Sequence, residues 1–324
     1  MSYNRENFKK VKEKFKTKRD TALALAEGKR MCLYREIPEV EKIDRELSMT
    51  GLQIFEAALN GGDVKARIEE LEKENLALQK RRAELISEKG YPADITEPKF
   101  DCEKCKDTGF TDSVMCECFR RELVRAGIES SGLGSLIRRQ TFDTFKTEYY
   151  KDDPRSLTNI EFILSQCRYF AEHVGDEDAR SLLFIGGTGL GKTHLSTAIA
   201  GKAIENGTDV VYETAQNMIG DFEYERFERS RDNDDARKTE RYFDCDLLII
   251  DDLGTEVANQ FTVSCLYNII NTRIVRGKKM IINTNLSKDE LRRRYADRIT
   301  SRLFGEFQPL LFIGTDIRAK KLME

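Results

Sequence analysis

Gly186-Gly187-Thr188-Gly189-Leu190-Gly191-Lys192-Thr193 matches the phosphate-loop pattern G-x-x-x-x-G-K-[ST] in full. The apolar run Ser181-Leu182-Leu183-Phe184-Ile185 before it reads as a buried strand, and the amphipathic run from Thr193 to Asn206 after it as a helix. That strand–loop–helix order gives the pattern a mechanism. Glycines let the backbone curl until its N–H groups converge, the helix start adds partial positive charge, and together they cradle a polyphosphate. Lys192 is placed to reach the β- and γ-phosphates and Thr193 to ligate Mg²⁺; His194 completes the nucleotide-binding candidates.

Toward the C-terminus, Asp209-Val210-Val211-Tyr212-Glu213 reads as a strand and Ala215 to about Arg231 as a helix. Cys245-Asp246-Leu247-Leu248-Ile249-Ile250-Asp251-Asp252 is an apolar strand ending in two carboxylates, which repel each other unless a cation is present. Asp251 is expected to hold the Mg²⁺ shell and Asp252 to orient or deprotonate the attacking water, with Glu256 in reserve. Asp251-Asp252-Leu253-Gly254 also fits the GTPase signature D-x-x-G. The guanine motif N-K-x-D is missing from the corresponding later stretch, Asn283-Thr284-Asn285-Leu286-Ser287, which points to ATP. Met280 to Asn285 is a fourth strand; Asn285 first, and Thr284 second, would sit between water and γ-phosphate. Leu310 to Ile313 supplies a fifth strand. Strands alternating with helices predict an α/β fold with a five-stranded parallel sheet.

Between the last two strands runs Arg292-Arg293-Arg294-Tyr295-Ala296-Asp297-Arg298-Ile299-Thr300-Ser301-Arg302-Leu303. It reads either as a solvated basic helix or as a carrier of an arginine finger. In the second case Arg302 reaches a neighbouring subunit's nucleotide, with Arg298, four residues earlier on the same face, playing the same part or binding phosphate.

Upstream the chemistry changes. The chain has 324 residues and a net charge of −3, so it is not basic overall, and no run approaches a membrane span. Without an apolar signal core at Met1-Ser2-Tyr3-Asn4-Arg5 it is expected to be cytoplasmic, with no membrane partner. Residues 1–92 read as helical and charged, an interaction region; Lys9 to Arg19 is a basic run of the kind that solvated helix faces carry. Val64, Ile68, Leu71, Asn75, Leu78, Arg82 and Leu85 follow a heptad seam. Asn75 and Arg82 would weaken a long dimeric coil, so a hairpin onto the helix before Gly61-Gly62, through Leu52, Phe55, Ala58 and Leu59, is the expected arrangement. Residues 93–134 hold Cys102, Cys105, Cys116 and Cys118, two close pairs able to give four thiolates to a structural Zn²⁺. Cys32, Cys167, Cys245 and Cys265 are scattered thiols. A Ser/Gly-rich break at Ser130–Ser135 marks the boundary to the nucleotide-binding domain, 135–324. Phe142 and Phe145 either line the nucleotide base or belong to the core.

GGTGLGKTHL, LLIIDDLG, IINTNLS, DRITSRLF and GTDIR together resemble the AAA+ branch that contains bacterial replicative helicase loaders of the DnaC/DnaI type and the IstB transposition helpers. Asn271 and Arg273 are similar to that branch too, and C-x-x-C-x-D-T-G-F…C-x-C resembles the zinc-bearing region of Gram-positive-type loaders. The resemblance implies an ATPase with ATP, Mg²⁺ and structural Zn²⁺, and self-association through AAA+ domains on nucleotide binding. It also implies a grip on the hexameric replicative helicase and delivery of that helicase to single-stranded DNA. Arg302 would be the finger acting in trans and Arg318 of Asp316-Ile317-Arg318 the second sensor, with the helical lid truncated. An IstB-like transposition helper is the alternative; a small-molecule kinase built on the phosphate loop is more distant.

Overall fold

The computed structural model describes residues 3–60, 64–227, 239–295 and 297–321. Packing divides the chain into two compact units, Lys12–Cys118, and Met1–Val11 with Phe119–Glu324.

The first unit is built on helices. α1 (Arg5–Glu36), most of which lies here, is followed by α2 (Pro38–Asn60) and α3 (Val64–Glu88). Pro38 at the first position of α2 costs no helical hydrogen bond, because that N–H has no intrahelical acceptor. Cross-links between Glu39 and Arg81, Asp44 and Arg82, and Thr50 and Asn75 run in opposite chain directions, so α2 and α3 form an antiparallel pair. The polar seam residues are therefore used: the Arg82 guanidinium meets Asp44 at 2.6 Å and the Thr96 hydroxyl at 2.9 Å. Both charges are mostly screened from water, which puts the ion pair near the upper end of ~1 kcal/mol. Leu33, Ile37, Val40, Ile43, Leu85 and Ile86 form the apolar centre. The side chains of Leu52, Phe55, Ala58, Leu59 and Val64 lie outside the described residues. β1 (Phe110–Thr111) and β2 (Val114–Met115) make a two-residue hairpin. Its turn residues, Asp112 and Ser113, have φ of 48° and 66°, the type I′ signature that matches strand twist.

The second unit begins with α4 (Glu117–Ser130) and α5 (Leu136–Arg139), then a 3₁₀ turn, Thr147–Tyr150. α6 (Pro154–His173) is capped by the Asp153 carboxylate. Next come β3 (Leu182–Ile185), α7 (Lys192–Glu205), β4 (Val210–Thr214), α8 (Ala215–Phe227), α9 (Glu240–Asp244) and β5 (Leu247–Leu253). α10 (Gln260–Val275), β6 (Lys279–Thr284), α11 (Lys288–Arg294), α12 (Asp297–Glu306), β7 (Gln308–Leu311) and α13 (Ile317–Lys321) complete it. The five strands are parallel, in the order β4-β5-β6-β3-β7. Alternation along each strand decides which helices cover which face. Leu182, Phe184, Ile249 and Ile281 pack with α6 and α7, while Leu183, Ile185, Leu248, Ile250 and Ile282 pack with α8, α10 and α12. The result is an α/β sandwich, a five-stranded parallel sheet with helices on both faces.

Three local features refine the sequence reading. The last strand starts two residues early and includes Pro309, because β7 is an edge strand. Gln308 and Phe312 donate inward to Ser181 and Ile185, so the proline between them falls on the open side, where no donor is needed. The basic run is two helices, broken at Tyr295, with a Ser287–Glu290 capping box opening the first. Arg273 is fully buried. Its guanidinium donates to the carbonyls of Tyr242, Cys245, Asp246 and Lys279 and so ties the starts of β5 and β6 together.

The first residues of the chain pack in this unit. Asn4 donates to Asp209 (3.1 Å), Asn7 to Ser130 (2.7 Å), and Phe8 meets Phe119 edge-on.

Candidate functional site

The phosphate loop joins β3 to α7, with Gly191 as the helix N-cap. Gly189 has φ of 72°, a backbone conformation that strains any other residue, and a Cβ there would have to displace the Asp316 carboxylate. The Tyr150 hydroxyl donates to the Leu190 carbonyl at 2.8 Å and holds the outer turn. Lys192, only 6% exposed, donates to the carbonyls of Gly186 (2.7 Å) and Gly187 (2.6 Å) and to Asn285 Oδ1 (2.5 Å). All three ammonium donors are used. Burial pulls the Lys192 ammonium below the usual lysine range, against the opposing pull of Asp252 and Asp251.

The two carboxylates at the end of β5 occupy different environments. Asp251 is buried. Its Oδ1 accepts from Asn283 Nδ2 (2.8 Å), and its Oδ2 from the hydroxyls of Thr193 (3.0 Å) and Tyr212. Asp252 sits at an irregularity in the β5–β6 ladder with φ of 53°. That kink turns the second carboxylate out of the strand alternation and into the cavity. Burial first, then the charge of Asp251, raises the Asp252 carboxyl above the ordinary range. The structure thus separates a buried, firmly hydrogen-bonded carboxylate from one that is turned outward and lines the cavity.

A cavity of about 350 Å³ brings most of the nominated residues together. The loop from Thr188 to His194 lines it with Asp252, Asn285 and Arg318, and Gln140, Phe145 and Tyr149 complete the lining. Gly186 and Gly187 contribute carbonyls to Lys192. His194 Nε2 faces the Thr141 carbonyl (2.9 Å) and the Thr144 hydroxyl (3.2 Å), with its ring against Phe145. Phe142 lies beneath Arg168 beside a separate cavity. Glu256 is away from the phosphate loop: buried, it accepts from the Gly254 N–H and the Tyr295 hydroxyl, and its charge faces Arg294. That arrangement removes it from the reserve role. Thr284 is also committed, donating to the Leu253 carbonyl.

Arg302 and Arg298 do not line this cavity. Both guanidinium groups lie 4.7 Å from the centre of the Tyr267 ring, and Arg302 also donates to Asn271 Oδ1 (2.9 Å) and the Tyr267 hydroxyl (3.1 Å). Asn271 and Tyr267 hold Arg302 in one orientation. Tyr212 and Asn283, the partners of Asp251, escaped the motif reading. Asn283 leaves a trace in the sequence, a polar residue inside an apolar strand. Tyr212 leaves none, since tyrosine is common in half-buried strands.

In the other unit the four sulfurs of Cys102, Cys105, Cys116 and Cys118 lie within 4.8 Å of one another. Cys105–Cys118 is 3.4 Å and Cys102–Cys116 is 3.9 Å. Tetrahedral zinc with bonds of about 2.3 Å sets its sulfurs about 3.8 Å apart, so the donor set fits Zn²⁺. The turn is shaped by Lys106 and Asp107, both with positive φ, and by Asp107 accepting from the N–H groups of Asp101 and Cys102, each at 2.9 Å. The backbone N–H of Cys105 is the main influence that pulls the Cys102 thiol down to about 7, while burial pushes the Cys105 and Cys118 thiols up.

Sheet order, loop and paired carboxylates define a phosphate-loop nucleotide-binding domain. Residues 165–303 match the family described as IstB-like ATP binding protein. Over 233 residues the chain is 26% identical to the phage-like element PBSX protein XkdC of Bacillus subtilis (strain 168), covering 66% of this chain and 82% of that protein. It is 26% identical over 164 residues to the chromosomal replication initiator protein DnaA of Wolinella succinogenes, where it spans 37% of the relative's length. Among solved structures, the DnaC helicase loader aligns with a TM-score of 0.47 at 22% identity, covering 55% of this chain and 98% of that one. Among the described residues, no helix is long and apolar enough to cross a membrane.

Proposed function

We propose that this protein is an ATP-hydrolysing helicase loader. The observation that carries the ATPase reading is the pairing of Thr193 with Asp251 beside an outward-turned Asp252. ATP would lie along the phosphate loop with its base toward Phe145 and Tyr149. Thr193 and Asp251 would hold Mg²⁺, which when bound offsets phosphate charge. Lys192 would exchange its loop carbonyls for phosphate oxygens, Asn285 and Asp252 would orient the water, and Arg318 would face the nucleotide from the same chain. Arg302, with Arg298, would complete the site of a neighbouring subunit once nucleotide drives self-association.

The loader reading rests on the four-cysteine cluster and the helices around it, within residues 1–134, which we assign to zinc binding and the grip on a replicative hexameric helicase. Nucleotide turnover would then time delivery to single-stranded DNA. The match of residues 165–303 to the IstB-like family also supports a transposition helper. A pull-down of the full chain from its host separates the two: recovery of the replicative helicase supports the loader, whereas recovery of a transposase without helicase overturns it.

A further inference from the structure

Tyr212 lies on β4, the outer strand, two residues before the position that pairs with Asp251. Two residues is the period of one strand face, so its ring runs up the α6–α7 face of the sheet toward the carboxylate. There its hydroxyl donates to Asp251 Oδ2, the oxygen that also accepts from Thr193. With Asn283 on Oδ1, three side chains from β4, α7 and β6 stop the carboxylate from rotating.

The other side of Tyr212 is held as well. Its backbone N–H donates to the Ser131 carbonyl at 2.8 Å. Gly132 (φ 83°) passes so close that a Cβ would lie 2.6 Å from the Tyr212 carbonyl oxygen. The connector after α4 therefore covers the open edge of β4 at the residue that touches Asp251.

We propose that Tyr212 is a positioning residue for Asp251, and that the Ser131–Leu133 connector sets Tyr212, so that the connector acts on divalent-cation affinity at the nucleotide site. This rests on reading Asp251 as the Mg²⁺-shell ligand. A hydrogen bond to a carboxylate fixes its direction and supports its ionised form. Replacing the phenol by a phenyl ring keeps the packing and removes only that bond.

The test uses the full chain, a fluorescent ATP analogue and a Mg²⁺ titration, with circular dichroism to confirm folding. Tyr212→Phe raises the Mg²⁺ concentration for half-maximal response about tenfold, the size typical of losing a hydrogen bond to a metal-holding carboxylate. Nucleotide affinity in EDTA holds. Gly132→Ala, which presses on the Tyr212 carbonyl, moves the Mg²⁺ midpoint the same way by a smaller factor. An unchanged midpoint in folded Tyr212→Phe overturns the proposal, as does a loss of nucleotide affinity equal in EDTA and in Mg²⁺. Asp251→Asn is the separate control: if it keeps the wild-type Mg²⁺ response, the metal-shell reading of Asp251 fails, whatever Tyr212 does.

Discussion

The cysteine knuckle and the phosphate loop are both tight turns that gather like groups around a point, and they are stabilised in opposite ways. The loop reaches positive φ at Gly186, Gly189 and Gly191, where no Cβ is present to object. It hangs between a buried strand and a buried helix, which fold for reasons of their own. The knuckle uses Lys106 and Asp107 at φ of 49° and 55°, each at a cost of about 1 kcal/mol for an L residue. Around it are two-residue strands and four thiols. A binding turn set between a strand and a helix of a large sheet can exist before its ligand; one set on two-residue strands leans more on the ligand for its shape.

The strongest way to break this contrast is to remove one thiolate. Cys105→Ser should abolish zinc retention and most of the roughly 10 kcal/mol that structural zinc supplies to small sites. Metal content and protease sensitivity around residues 100–118 report it; a variant that stays protease-resistant without metal shows that the knuckle stands alone. Lys192→Ala should abolish nucleotide binding, read by titration of a fluorescent analogue, while the sheet keeps its melting transition. Loss of that transition would put the loop in the knuckle's class. Arg302→Ala should lower hydrolysis about a thousandfold and spare nucleotide binding, because a finger acts on transition-state charge. Unchanged turnover refutes the finger.

Asp107→Ala should weaken zinc about tenfold by freeing the Asp101 and Cys102 amides, seen in competition with a chromophoric chelator. An unaltered affinity would mean the knuckle's backbone is not held through that carboxylate. The smallest effect is in pH. The Asp252 carboxyl is raised, so the folded chain holds its proton more tightly than the unfolded one. Its contribution to stability is complete below the ordinary carboxylate value and is lost as pH rises through the raised one. Hydrolysis, which needs the carboxylate, should have its acid limb above about 4, and a limb at or below that value removes Asp252 as the base.

The phosphate loop, the paired carboxylates and the cysteine pairs could be read from residue type and spacing, because each is a local pattern. The alternation that assigns Leu182 and Leu183 to opposite faces of the sheet could be read in the same way. What could not be read is whatever depends on strand neighbours. Tyr212 reaches Asp251 only through the β4–β5 register, and Glu256 is taken from the site by Tyr295 and Arg294, about forty positions away. Pro309 in β7 follows from edge position, which is a property of strand order. The break at Tyr295 needed the packing of its ring, since the arginines on both sides favour helix equally.

Asn4 and Asn7 have a consequence for assembly during synthesis. The hydrogen bond from Asn4 to Asp209 spans 205 positions, so the amino end must wait until β4 has left the ribosome before the loop can close. Truncations that begin after the cysteine cluster would strip Phe119 of Phe8 and Asp209 of Asn4. The smallest intact version of the nucleotide-binding unit is therefore a chain in two pieces, or one re-joined so that the first eleven residues are returned to it.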